Sequence, residues 1–358
     1  MKAARITEPN EPLQMVELES PKPNENQVVI KVKSVGVCHS DLHLWEGGYD
    51  LGDGKFMKVT DRGVKYPVTP GHEIVGTIME IGKGVTGFSL DDVVLVYPWQ
   101  GCGKCPGCEA KNENLCDTPR SMGVFQDGGY ADVVLIPHYK YLAKIEGVDP
   151  DAATSLACSG LTAYTAIKKA NINSPEFLVI VGAGGLGLMG IQIAKAITKS
   201  KIICVDLDDK RLETAKELGA DFVVNSNVIG SVTTGSGNAA QKIISLCNNK
   251  GADSVIDFVN APNTAKMGLA VLRKRGTLVL VGLFGGSLDI SLVTVPLKAI
   301  TIQGAYTGNY NDMLELIDLA KKGIIKPVIS KRYSLDEANQ ALHDLKDRKI
   351  IGRAVINP

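Results

Sequence analysis

The residues with the clearest chemistry lie in Gly101–Cys116, GCGKCPGCEAKNENLC, where Cys102, Cys105, Cys108 and Cys116 follow C-x2-C-x2-C-x7-C spacing. Four thiolates packed so closely repel one another and oxidise easily unless a cation sits among them. Zn²⁺ suits the task, being redox-inert, partial to sulfur and content with a tetrahedral cage of four cysteines. The run is rich in Gly, Pro and Asn, so its backbone can wrap one ion. Four protein ligands leave no coordination position open, and the loop is expected to be a closed structural site.

A second motif, Gly182-Ala183-Gly184-Gly185-Leu186-Gly187, follows a strand-like run and opens a helix-like one. Gly182 allows a tight turn, Gly184 lets the backbone approach a pyrophosphate, and Gly187 permits close packing of helix on strand. The diphosphate would rest on the helix N-terminus, where free N–H groups and the dipole favour an anion. Asp206 lies 19 residues beyond Gly187, at the end of the next strand-like run. A carboxylate there accepts from the adenosine ribose hydroxyls and repels a 2′-phosphate, which favours NAD over NADP.

A third set is dispersed. Cys38 opens CHSDLH, His72 sits in GHE, and Cys158 in LACSGLTAY. Taken singly, Cys158 reads as helix packing and His72 as a hydrogen-bonded turn histidine. Beside a four-cysteine loop and a dinucleotide motif, two thiolates and an imidazole form a zinc set with a fourth position for water or substrate. Cys204, on a strand, and Cys247, on a helix, read as packing residues, and His138 and His343 have no partner motif.

Several elements must position these groups. From Val28 to about Lys144, short β-like runs (VVIKVKSVGV, EIVGTIMEIG, DDVVLVYP, YADVVLIP) alternate with Gly and Pro, which predicts an antiparallel β domain. Glu46–Lys65 reads as a long surface excursion, of a length that serves either as a lid over a site or as part of an oligomer interface. Asp151–Ala170 reads as one helix. Six apolar strands follow, over Phe177–Val181, Lys201–Val205, Phe222–Val224, Ser254–Val259, Thr277–Gly282 and Ile300–Gly304, with helical patterns between them such as Leu186–Lys199 and Asp209–Leu218. That alternation predicts a parallel sheet covered on both faces, so the fold class is α/β. Gly230–Ala240 reads as a mobile loop. Helices over Asn311–Lys322 and Leu335–Arg348 and a terminal strand, RAVINP, complete the chain.

At 358 residues two domains are the default. Lys+Arg and Asp+Glu both number 39, so no overall field favours nucleic acid or a membrane surface. The opening MKAARITEPNEPLQ has no apolar signal-type region, and no run approaches the ~18 apolar residues of a membrane span. Eight cysteines in this context argue for metal ligation in a reducing compartment, and a cytoplasmic protein is expected.

Over essentially its whole length the chain resembles the zinc-dependent medium-chain alcohol dehydrogenases. It is most similar to their tetrameric archaeal and bacterial NAD-dependent branch, on the Glu46–Lys65 insertion and the PWQG…C loop. The resemblance implies a GroES-like, mostly antiparallel catalytic domain over 1–155, with a structural-zinc lobe at about 98–118. A Rossmann doubly wound domain would follow over 156–304, and 305–358 would return to the catalytic domain. It implies two zinc ions per chain. Cys38, His72 and Cys158 would hold the catalytic ion, with Glu73 as a possible fourth ligand and Asp41 orienting His72. Cys102, Cys105, Cys108 and Cys116 would hold the structural one.

The reaction implied is hydride transfer between NAD(H) and an alcohol/aldehyde or ketone pair. Ser40 would take the hydroxyl proton and pass it through the nicotinamide ribose to His43. Thr162 would touch the nicotinamide ribose or ring; Trp99 would line the substrate pocket by the resemblance, or is a core tryptophan on its own reading. Cofactor contacts are implied for Gly182, Gly184, Gly185, Leu186, Gly187, Asp206 and Arg211, for Arg353 near the pyrophosphate, and for His39, where some members carry Arg. The partners implied are a small-molecule substrate and further copies of the chain, as homodimer or homotetramer through Thr277–Gly304. Semialdehyde reductase and polyol dehydrogenase are alternative enzyme readings. A non-catalytic zinc-ribbon protein binding nucleic acid is opposed by zero net charge and by the lack of a basic face with interleaved aromatics.

Overall fold

Strands that are apolar on both sides need cover on both faces, and the second half of the chain is built around that requirement. The computed structural model describes residues 1–170, 176–227 and 237–358. Chain contacts divide it into two units. The first comprises Met1–Gly48, Lys58–Leu161 and Thr307–Pro358; the second comprises Tyr49–Met57 and Thr162–Tyr306.

The second unit carries six parallel strands: Phe177–Val181, Lys201–Asp206, Phe222–Asn225, Ala252–Asp257, Leu272–Leu280 and Thr301–Gly304. Numbered in chain order they lie 3-2-1-4-5-6, the doubly wound arrangement of a Rossmann fold. Intervening helices include Gly185–Ile197, Asp209–Glu217 and Pro262–Val271. Right-handed crossovers on either side of the first strand place helices on opposite faces. Val179, Val181, Ile203, Val205, Val255 and Leu278 are buried in its core.

The first unit is organised by strand Val28–Val37. It pairs antiparallel with Glu73–Ile81 and, through its opening residues, with Val133–Ile136; its far end pairs antiparallel with Arg353–Asn357. Val93–Val96 and Leu142–Lys144 extend the sheet on one side, and Ile329–Ser334 extends it on the other, parallel to Arg353–Asn357. Register decides what meets at one sheet end. Gly36 lies opposite Glu73, and Val37 opposite Ala354. Cys38, His72–Glu73 and Arg353 therefore converge, although Arg353 lies 280 residues beyond Glu73 in sequence.

Four expectations change. Glu46–Lys65 is structured: helix His39–Glu46 ends at Gly47, strands Gly48–Gly52 and Lys55–Lys58 form a two-stranded sheet, and a 3₁₀ turn spans Val59–Arg62. Within the second unit, the Asp50 carbonyl of this hairpin accepts the Gly286 amide at 3.2 Å. Asp151–Ala170 is interrupted rather than one helix: helix Pro150–Thr154 passes through a 3₁₀ turn, breaks at Cys158 (φ −137°, ψ −74°), and resumes as Ser159–Lys169. Leu335–Arg348 divides into a 3₁₀ turn, Leu335–Glu337, and helix Ala338–Lys346. Of the loop expected over Gly230–Ala240, residues 230–236 lie outside the described residues, while 237–240 begin helix Gly237–Leu246.

Candidate active site and metal centres

Two donor sets form. Cys102, Cys105, Cys108 and Cys116 bring their sulfurs within 4.8 Å of one another, and so do the donor atoms of Cys38, His72, Glu73 and Cys158. Among the described residues these are the two His/Cys/Asp/Glu groups with such geometry.

In the four-cysteine lobe, Cys105 Sγ lies 3.5 Å from Cys108 Sγ and 3.7 Å from Cys116 Sγ. Backbone amides of Cys102 and Thr118 donate to Cys116 Sγ at 3.2 and 3.3 Å. The amide of Lys104 helps lower the Cys102 thiol to about 6, whereas burial raises Cys108 to about 12. Amides aimed at sulfur favour thiolates, the form a metal takes. A Cβ at Gly101 would lie 2.4 Å from Cys108 Sγ, so this position must lack a side chain. Glu113 ties the lobe down, accepting from the Gly101 amide (2.9 Å), Tyr141 Oη (2.7 Å) and Lys140 Nζ (3.0 Å). Neither glycine nor glutamate stood out in the sequence.

The other set is wholly buried. Cys38 Sγ and Cys158 Sγ are 3.9 Å apart, with Cys158 at the backbone break before helix Ser159–Lys169. A hydrogen bond between the two sulfurs holds Cys38 well below its usual range and, with burial, Cys158 well above it. His72 Nδ1 faces Asp41 Oδ1 at 3.3 Å. Burial works against charge on His72, but Asp41 and Cys38 outweigh it and raise its pKa. Neither ring nitrogen of His72 makes a well-formed hydrogen bond among the described residues, and Glu73 Oε2 is equally unsatisfied. Unpartnered buried nitrogen and oxygen atoms beside two thiols are the chemistry of a cation site, and the donor set fits zinc.

Glu73 Oε1 accepts from Arg353 Nη2 (2.7 Å) and the Ser159 amide (3.2 Å), while Arg353 Nη1 donates to the Val37 carbonyl. Burial lifts Glu73 to about 7 despite the guanidinium. Arg353, expected near the cofactor pyrophosphate, is 4% exposed and paired with Glu73. The antiparallel register imposes this pairing, and the sequence carries no signal for it.

Helix His39–Glu46 presents the remaining groups. Its Asp41 carboxylate accepts the Cys38 amide at 2.9 Å, closing the helix N-terminus. Ser40 Oγ stands 3.9 Å from Cys38 Sγ, and His43 follows one turn later, its pKa lowered by burial. His39 is exposed. Trp99 is buried, donates Nε1–H to the Ala157 carbonyl at 2.9 Å, and packs its ring 5.3 Å from that of His72.

The second unit holds a separate group. Gly182 adopts φ +95°, and a Cβ at Gly187 would lie 1.8 Å from the Gly182 carbonyl oxygen. Among the described residues nothing stands within 4 Å of a Cβ at Gly184, where helix Gly185–Ile197 begins. Gly185 and Leu186 are half-buried in its first turn. Asp206 Oδ2 accepts the Ala183 amide at 2.6 Å, joining the two halves of the motif. Arg211 is half-buried on helix Asp209–Glu217, and Thr162 is buried on Ser159–Lys169. This cradle fits a dinucleotide diphosphate.

Comparison with known proteins gives the family. The family model "Zinc-binding dehydrogenase" matches residues 185–322, and "Alcohol dehydrogenase GroES-like domain" matches 24–147. The NAD-dependent alcohol dehydrogenases of Sulfurisphaera tokodaii and Saccharolobus solfataricus are 43% and 42% identical, each alignment covering 100% of both chains. The crystal structure of the alcohol dehydrogenase from Aeropyrum pernix superposes with a TM-score of 0.88 at 31% identity, covering 100% of both chains. The zinc-ribbon alternative falls with these matches: the chain belongs to the zinc-dependent medium-chain alcohol dehydrogenase family and is an oxidoreductase.

Proposed function

We propose that this chain interconverts alcohols with aldehydes or ketones using NAD(H), with Cys38, His72 and Cys158 holding a catalytic zinc ion. Cys102, Cys105, Cys108 and Cys116 hold a second, structural ion. The observation that carries the reading is the contrast between the two donor sets. One ends in four thiols, and the other in two thiols, an imidazole and a carboxylate restrained by Arg353 and Ser159. Three protein donors from Cys38, His72 and Cys158 leave a fourth position for substrate, which Glu73 can fill in its absence.

Zinc bound there supplies a Lewis acid that brings a hydroxyl pKa from about 16 toward about 7 and polarises a carbonyl. Bound NAD⁺ supplies the hydride acceptor. Ser40 is the first acceptor of the hydroxyl proton, and His43, which burial keeps neutral, delivers it toward solvent. Trp99, packed beside His72, shapes the substrate pocket, and Thr162 positions the nicotinamide end of the cofactor. Asp206 selects NAD over NADP, Gly182–Gly187 seat the diphosphate, and Arg211 is a further cofactor contact; His39 keeps its implied cofactor role.

The chain works as a homodimer or homotetramer in a reducing, cytoplasmic compartment. All eight cysteines are free, and among the described residues no helix is long and apolar enough to cross a membrane. Leu292, Val293 and Leu297 are 86%, 65% and 70% exposed in the segment leading to edge strand Thr301–Gly304, which supports self-association there.

Metal analysis coupled to NAD(H)-linked turnover on primary and secondary alcohols, polyols, aldehydes and hydroxy-acid semialdehydes tests the reading. Two zinc ions per chain with turnover are expected, and the best substrate identifies the class. One ion without turnover on any of them would remove the catalytic assignment.

A further inference from the structure

Tyr130 is fully buried, and its hydroxyl lies 3.3 Å from Asp41 Oδ2. Its ring fills the space beside Gly71: a Cβ at that residue, which has φ +91°, would lie 2.4 Å from Tyr130 Cδ1. The backbone is tied to the same place. The Tyr130 amide donates to the Pro70 carbonyl (3.0 Å), that of Gly129 to Gly71 (2.7 Å) and that of Gly128 to Thr69 (2.7 Å). The strap 128–130 thus grips the three residues that lead into His72. Phenylalanine would fill the ring slot equally well. A buried hydroxyl is costly unless it is bonded, so its presence points to what it bonds.

Asp41 is 1% exposed and has four donors around it. Oδ2 takes the Cys38 amide (2.9 Å) and the Tyr130 hydroxyl (3.3 Å). Oδ1 takes the Gly71 amide (3.2 Å) and faces His72 Nδ1 (3.3 Å). With one oxygen held by Cys38 and Tyr130, the carboxylate can turn only so that the other meets the imidazole. An N–H on Nδ1 then leaves Nε2 as the free lone pair.

We propose that Tyr130 is a positioning residue for the open donor set: its hydroxyl orients Asp41, and through Asp41 the tautomer and plane of His72. This rests on the reading above, that Cys38, His72 and Cys158 hold a metal. Partners one step out from a metal ligand commonly affect metal affinity by 10- to 100-fold, and Tyr130, a step further out, belongs at the lower end of that range.

The test uses the four-cysteine lobe as an internal reference. Zn²⁺-loaded wild type and Tyr130→Phe are challenged with excess chromogenic chelator, and release is followed in time; Cys38→Ser identifies the phase belonging to the open set. Tyr130→Phe is expected to speed that phase about tenfold. The four-cysteine phase and the thermal midpoint under saturating Zn²⁺ should stay unchanged. Co²⁺-loaded protein gives a second readout, since a rotated imidazole shifts the visible absorption of the open site. Equal release from both proteins overturns the proposal. So does acceleration of both phases together, or a phenylalanine variant that fails to fold, because either makes Tyr130 a packing residue. A wild type that retains only the four-cysteine metal overturns the proposed function as well, whereas two metals with equal release overturn this inference alone.

Discussion

Asp206 Oδ2 accepts the amide of Ala183, and Oδ1 accepts those of Leu207 and Asp208 at 2.7 and 3.1 Å. One carboxylate therefore braces the glycine turn, and in the proposed function it also reads the adenosine ribose. Replacing it affects both roles. Asp206→Ser is expected to lower kcat/KM with NAD about tenfold to a hundredfold, the loss of roughly 1.5–3 kcal/mol typical of hydrogen bonds to a charged group. The ratio of NADP to NAD efficiency should rise, because a 2′-phosphate no longer meets a negative charge. Steady-state kinetics with both cofactors separate the two effects. An unchanged ratio would mean that Asp206 only braces the turn.

At the scale of elements, the first of the C-terminal strands is tied to the helix that follows it by a clamp. Asp344, on helix Ala338–Lys346, accepts from Lys331 Nζ (2.7 Å), Tyr333 Oη (2.7 Å) and Gln340 Nε2 (2.9 Å). Lys331 and Tyr333 belong to strand Ile329–Ser334, which pairs with the strand that carries Arg353. The bonds from Lys331 and Tyr333 hold the Asp344 carboxyl well below its usual range. A depressed carboxyl stabilises the fold above its unfolded pKa of about 3.9, and that contribution fades as pH falls through the acid range. Asp344→Asn is thus expected to cost about 1–3 kcal/mol near pH 7, with the gap to wild type narrowing below about pH 4. Denaturant unfolding at several pH values checks this; a gap that stays constant with pH would assign the loss to packing.

For the whole molecule, the apolar segment Leu292–Leu297 and edge strand Thr301–Gly304 present a surface that a lone chain leaves in water. A second copy can cover it. Leu297→Asp places a charge in that surface, and light scattering should show the assembly mass falling by half or more at equal concentration. An unchanged mass would move the interface elsewhere. Leu297 is 70% exposed within its own chain, so the substitution should leave the fold of each unit intact.

Much of this protein was legible from the chain because its signals are local. The four cysteines are close in sequence, and the strand–GAGGLG–helix unit is one continuous segment, so spacing and hydrophobic pattern sufficed to predict them. The six parallel strands were found for the same reason: buried strands are apolar along their length. What depended on register was hidden. Arg353 meets Glu73 only because Val37 lies opposite Ala354 and Gly36 opposite Glu73. Tyr130 reaches Asp41 only because the strap 128–130 pairs with 69–71. The break at Cys158 inside a helical pattern, and the hairpin within Glu46–Lys65, show tertiary contacts overriding local preference. Which residues are able to bind metal and dinucleotide was decided by the sequence, since donor chemistry and turn geometry are properties of the residues themselves. Which of them are held in place, and by what, was decided by the tertiary structure, because buried charges and hydroxyls take whatever partner the packing brings within reach.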